Sequence, residues 1–136
     1  MTYLLDTSAL LAHARRESEA PRVQELFDQE DAIILLSSVS VAEMARRLRE
    51  LAMPEEELGQ LIADYEGLAS EIVPVDAGIA RRSDLITRRA TTRLPLADAL
   101  IAACAASRDA VLVHRDAHMR TIPETEVRQL DLAAAG

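Results

Sequence analysis

The sequence predicts an α/β fold: a short parallel sheet of about five strands with helices on both faces. Three observations lead there. Short leucine-rich and β-branched runs recur along the 136 residues, and most lack the alternation of a half-exposed strand, so they read as buried on both sides. Helical patterns lie between them, the order expected of a parallel sheet with crossover helices. The length suits one core and is too short for two. Residues 1–132 are therefore expected to form a single domain, with "AAAG" at 133–136 fraying.

The first strand is expected over Tyr3 to Leu5 and ends at Asp6, after which Thr7 or Ser8 would N-cap a helix. Pro21 opens a short helix with Val23, Leu26 and Phe27 inward. Ala32 to Leu36 reads as the second strand. Val41, Met44, Leu48 and Leu51 mark the apolar stripe of the next helix, and "SVAE", Ser40 to Glu43, has the spacing of a capping box. Pro54 with Glu55, Glu56 and Glu57 signals another start, the acids complementing the helix dipole, with Leu58, Leu61, Ile62 and Tyr65 inward. Ile72 to Val75 is the third strand. Asp76 suits the N-cap of a helix burying Ile79, Ser83, Ile86 and Ala90, and Pro95 precedes the last long helix. Ala110 to Val113 and, more weakly, Val127 to Leu130 complete the sheet.

Composition narrows the function. Fifteen basic residues, all arginine, face 23 acidic ones, a net charge of −8. That balance argues against a binder working by general attraction to nucleic acid, so any such contact must be local and arginine-based. Three aromatics, Tyr3, Phe27 and Tyr65, offer little for stacking bases. The lone Cys104 reads as a small buried hydrophobe in a reducing cytosol. No charged leader precedes an apolar segment, and the longest apolar stretch, Leu94 to Ala106, contains an aspartate and is too short to span a bilayer. The expected setting is cytoplasmic, with no membrane association.

In a parallel α/β sheet the carboxyl ends of the strands share one rim, where ligand sites form. Asp6 sits there, although capping chemistry alone would also explain "DTS". Asp98 is the only charge in "LPLADALIAACAA", beside Ile101, Ala102 and Ala105 on a helical wheel. The helix dipole returns about 0.3–1 kcal/mol to an acid near an N-terminus, whereas taking a lone carboxylate out of water costs several times that. It needs a cation or a proton. Asp116 follows a strand on the same rim, where a turn aspartate is also common. Glu43 projects to the polar side of its helix by periodicity, yet the first turn of that helix should overhang the rim. Two charges ~5 Å apart repel by roughly 3 kcal/mol at an effective dielectric near 20, so such a cluster must hold protons or a divalent cation. All-oxygen donors, with no cysteine set and no histidine pair, favour Mg2+ or Mn2+ over zinc. His13 and His118 read as ordinary, with no partner at metal-ligand spacing. A hard cation with open positions is the equipment of phosphodiester hydrolysis.

Taken together, "LLDTSALLA", "SVSVAEMARRL", "LPLADALIAACA" and "LVHRD", in this order and spacing, resemble the PIN-domain ribonucleases, most closely the VapC-type toxins of type II toxin–antitoxin pairs. The resemblance implies a three-layer α/β/α fold and a homodimer. It implies an acidic Mg2+ or Mn2+ site of Asp6, Glu43, Asp98 and Asp116, with Ser8 and Thr7 ordering ligands or water. It implies endonucleolytic cleavage of RNA by metal-activated water, leaving a 3′-hydroxyl and a 5′-phosphate, and neutralisation by an antitoxin whose C-terminal segment obstructs the pocket. One departure is visible: His114 stands where threonine or serine is expected, two residues before the last aspartate, and could donate a hydrogen bond to a carboxylate or phosphate.

Most arginines read as salt-bridged surface, Asp84 facing Arg81 or Arg88 for example. Arg15, Arg16 and Arg115 flank the proposed rim and are the candidates for RNA phosphate. Incompletely covered leucines on the helices Val41 to Leu51 and Pro54 to Leu68 suit an antitoxin helix in a groove. Two other readings stay open: a non-catalytic PIN-like binding or regulatory module, and a structure-specific DNA nuclease of the same fold.

Overall fold

The computed structural model of the chain describes residues 1–134; of the tail expected to fray, Ala133 and Ala134 form a turn beside Asp131, and Ala135 and Gly136 lie outside the described residues. Five strands, β1 (Thr2–Leu5), β2 (Ile33–Ser37), β3 (Glu71–Val73), β4 (Val111–His114) and β5 (Gln129–Asp131), form one sheet in the order β3-β2-β1-β4-β5. Every pairing is parallel, with Leu5 opposite Leu36 on one side and Val113 on the other. Six helices connect them: α1 (Thr7–Ala14), α2 (Ala20–Asp28), α3 (Ser38–Glu50), α4 (Glu55–Leu68), α5 (Ala77–Arg89) and α6 (Leu96–Ser107).

The apolar strands serve two cores because successive side chains leave a strand on opposite faces. Leu4, Leu35 and Leu112 face one way, onto Ile79 and Ile86 of α5 and Ile101, Ala102 and Ala105 of α6. Leu5, Leu36 and Val113 face the other, onto Leu10 of α1, Val23 of α2, Met44 and Leu48 of α3, and Tyr65 of α4. This is the expected three-layer α/β/α arrangement. The chain builds outward from β1 to β3 on one side, then returns past β1 to lay β4 and β5 on the other. The order therefore reverses between β1 and β4, and a crevice opens at their carboxyl ends.

Several local expectations are corrected. Asp6 itself, not Thr7 or Ser8, caps α1: its Oδ1 accepts the Ala9 N–H at 2.8 Å. Helix α3 begins earlier than a capping box at Ser40 requires, because Ser37 at the end of β2 already accepts the Val39 N–H. The buried stripe of α3 is consequently Ser40, Met44 and Leu48, and Leu51 is left exposed. Asp76 caps α5 as expected, through the Ile79 N–H at 2.8 Å. Three helices end in a left-handed residue that is not glycine. Arg16, Ala52 and Asp109 adopt left-handed φ of 53°, 66° and 50°, each in a Schellman motif such as Arg16 N–H to His13 O and Glu17 N–H to Ala12 O.

Candidate metal centre

The crevice between β1 and β4 gathers carboxylates from all four connections between strands. Asp6 arrives at the end of β1, where its N–H extends the ladder by donating to Val113 O at 3.0 Å. It is 2 % exposed. Its Oδ1 takes both the Ala9 N–H and the Ser8 hydroxyl, the latter at 2.7 Å. Ser8 Oγ in turn accepts the Arg115 N–H at 3.0 Å, tying the α1 start to the segment after β4. Glu43 reaches the crevice from the second turn of α3. The Thr7 hydroxyl donates to its Oε1 at 2.6 Å, so Thr7 has no proton left for Ser40 Oγ at 3.1 Å and accepts from it. The sequence period placed Glu43 on the polar side of its helix; the shifted stripe instead leaves it half-buried beside Thr7. Asp98 comes from the first turn of α6, its side chain 15 % exposed.

Asp116 is held through its backbone. Its N–H donates to His114 Nδ1 at 3.1 Å, and its Oδ1 accepts the His118 N–H at 2.9 Å. His114 is fully buried. Because Nδ1 must accept, the proton sits on Nε2 and is donated to Gln129 Oε1 at 2.9 Å, whose amide is oriented by its own bond to Ile122 O. Burial pulls the His114 pKa down, which suits this neutral tautomer. His114 could in principle donate to a carboxylate or phosphate; both ring nitrogens are used inside the protein, and it braces the turn that carries Asp116. Thr7, Ser8 and His114 thus each contact one acid of the crevice.

The electrostatics follow from this crowding. Burial pushes Asp6 up to about 7, against the two bonds on Oδ1 and with Asp116 and Asp98 adding repulsion. Burial also pushes Asp98 up to about 6, followed by the charges of Asp116 and Glu43, while His118 pulls the other way. His118 was read as ordinary, yet its Nδ1 lies 3.5 Å from Asp98 Oδ2 and 3.3 Å from Asp116 Oδ1. Donor atoms of these three residues all fall within 4.8 Å of one another. The signal was present in "RDAH": an aspartate turn that receives the N–H two residues on brings that residue to the carboxylate. Carboxylate oxygens with one imidazole, crowded until two acids resist ionising, form a donor set that fits a hard divalent ion.

The arginines proposed for RNA are placed less favourably than expected. Helix α1 carries Arg15 and Arg16 to its far end, about 12 Å along the axis from Asp6. Arg115 is already clamped by Glu17 at 2.5 Å and Glu19 at 2.7 Å, and Arg15 approaches Glu17 at 3.8 Å. Arg16 has no ion pair among the described residues. Of the pairings expected for Asp84, that with Arg88 forms, at 3.2 Å.

A model of the PIN domain matches residues 3–124. The chain belongs to the PIN domain family. Solved structures with the same architecture come from toxin–antitoxin systems. VapBC2 from Rickettsia felis, bound to a DNA fragment from its promoter, has a TM-score of 0.76 at 18 % identity, covering 96 % of this PIN domain chain and 98 % of that one. VapBC-1 from nontypeable Haemophilus influenzae has a TM-score of 0.74 at 19 % identity, covering 98 % and 100 %. VapC20 from Mycobacterium tuberculosis, described as a sarcin–ricin loop cleaving toxin, has 0.67 at 16 % identity, covering 94 % and 99 %. No curated protein sequence matches this chain. No helix of the described residues is long and apolar enough to cross a membrane.

Proposed function

We propose that this PIN domain is a Mg2+- or Mn2+-dependent endoribonuclease, the toxin of a toxin–antitoxin pair. The observation that carries the reading is the convergence of Asp98 and Asp116 beside the buried Asp6 at the strand-order reversal, with no arginine paired to any of them among the described residues. Asp6, Glu43, Asp98 and Asp116 would hold the ion. When bound, it would offset phosphate charge and make water a better nucleophile. The chain's own residues do the rest. Ser8 holds Oδ1 of Asp6, Thr7 fixes Oε1 of Glu43, and His114 fixes the turn bearing Asp116. A carboxylate of the crevice would accept the proton of the attacking water. Attack on phosphorus, with departure of the bridging 3′-oxygen, leaves a 3′-hydroxyl and a 5′-phosphate.

RNA phosphate would approach past Arg16, with Arg115 and Arg15 joining where phosphate displaces Glu17 or Glu19. The proposed antitoxin partner has apolar surface to cover: Leu51 is 40 % and Leu68 56 % exposed at the ends of α3 and α4. A hollow of about 330 Å³ is lined by Thr7, Leu11, Glu43, Arg46, Arg47 and Glu50. A segment lying in it would reach Glu43 directly. Homodimer formation and a cytoplasmic setting belong to the same reading, as does a single domain over residues 1–132. The test is cleavage of RNA and matched DNA by purified protein with Mg2+ or Mn2+. RNA cutting that EDTA stops supports the proposal; binding without cutting, or cutting of DNA alone, overturns it.

A further inference from the structure

We propose that His118 is a nitrogen donor of the metal centre, joining Asp98 and Asp116, and that it tilts the site toward Mn2+ over Mg2+. The inference rests on the reading of the acidic crevice as a divalent-ion site and adds a ligand to it. Its first support is spacing. Donors about 2.1 Å from a common ion lie about 3.0 Å apart at adjacent octahedral corners and about 3.4 Å apart at tetrahedral ones. His118 Nδ1 stands 3.3 Å from Asp116 Oδ1 and 3.5 Å from Asp98 Oδ2. Those separations suit a shared ion better than a direct hydrogen bond, whose mode is near 2.9 Å.

The second support is a contrast among the three histidines. His13 has both ring nitrogens engaged, with Tyr65 Oη at 2.6 Å and Gln24 Oε1 at 2.7 Å. His114 uses both on Gln129 and the Asp116 N–H. The His118 ring, among the described residues, meets only the two carboxylates. Its position is nevertheless fixed, since its N–H is held by Asp116 Oδ1 and the next residue, Met119, is fully buried. An imidazole anchored by its backbone, aimed at two acids and otherwise unused, is placed as a ligand. Nitrogen donors favour Mn2+ and later divalent ions, whereas Mg2+ prefers oxygen alone.

Full-length protein and His118→Gln, each loaded with Mn2+, would be compared by pulsed electron paramagnetic resonance, and their Mn2+ and Mg2+ affinities by competition titration. The side chain is 55 % exposed, so the substitution leaves the core intact. The proposal expects nitrogen modulation on Mn2+ in the native protein and none in His118→Gln. It also expects a Mn2+ affinity loss of at least about tenfold, a size seen even for partners one layer beyond the ligands, and a smaller change for Mg2+. Bound Mn2+ without nitrogen modulation, or equal modulation in both proteins, overturns the histidine ligand and leaves the acidic site standing. Failure of the native protein to bind Mn2+ overturns both.

Discussion

Away from the crevice acids meet arginines: Glu55 faces Arg49, Glu71 at the start of β3 faces Arg108 at 2.9 Å, and Asp84 faces Arg88. At the carboxyl ends of β1 and β4 the same residue types are left without one, although Arg115 lies next to Asp116 in sequence. Its guanidinium is drawn off to Glu17 and Glu19. The consequences are opposite. A guanidinium beside each holds Glu55 and Glu71 below the usual carboxylate range, while burial and mutual repulsion drive Asp6 and Asp98 above it. A chain rich in arginine that withholds it from its most crowded acids has left room for a cation from outside.

The largest effect should come from removing one of those acids. Asp98→Asn is expected to lower RNA cleavage by at least about 100-fold, the scale of losing a general base or a charge stabiliser. In the metal-free protein near pH 8 it should instead raise stability, by up to about 3 kcal/mol, because the charge that burial resists is gone; burial pushes the Asp98 carboxyl up from 3.8 to about 6. Denaturant melts of both proteins in EDTA check the second half. Lower stability of the variant would mean that the acids do not strain the metal-free fold.

The two regions should also respond to pH with opposite sign. Asp6 and Asp98 bind protons more tightly in the folded chain, at about 7 and about 6, than at their ordinary 3.8. Their contribution is therefore most favourable at low pH and is lost as pH rises from about 4 to about 7, then levels off. Glu55 and Glu71, lowered by their arginines, contribute above 4.5 and lose that contribution as pH falls below it. In EDTA the native protein should lose several degrees of melting temperature between pH 5 and pH 8, and Asp6→Asn with Asp98→Asn together should flatten the slope. An unchanged slope would place the strain elsewhere.

A smaller effect is expected one layer out. Ser8→Ala removes the hydroxyl linking Asp6 Oδ1 to the Arg115 N–H, and Thr7→Val removes the proton given to Glu43. Each should cost about 10–100-fold in metal affinity or cleavage with the fold retained. The smallest belongs to the outer surface: Arg88→Ala should leave metal binding unchanged and barely move the melting midpoint, as exposed ion pairs contribute little.

Strand runs such as Tyr3 to Leu5 and the starts at Asp76 and Pro95 were legible because they depend on local chemistry: apolar runs, a capping oxygen, a fixed φ. Asp98 was legible from its isolation among alanines and leucines. Less could be read where a partner distant in sequence decides the outcome. Glu43 is turned by Thr7, 36 residues away, and Arg115 is taken by Glu17 and Glu19 nearly a hundred residues earlier. Helix ends at Arg16, Ala52 and Asp109 carry no glycine to announce them. A histidine two residues after an aspartate is not a helical metal spacing, and it is the turn at Asp116 that brings His118 to the pair.

The central claim is that the crevice between β1 and β4 is completed by a divalent ion. Calorimetric titration of Mn2+ into native protein and into Asp98→Asn, both freed of metal with EDTA and then desalted at pH 7.5, tests it most directly. The account predicts saturable binding to the native chain and a loss of affinity of at least about tenfold in the variant. Absence of saturable binding to the native chain, or equal affinity in both, would contradict it.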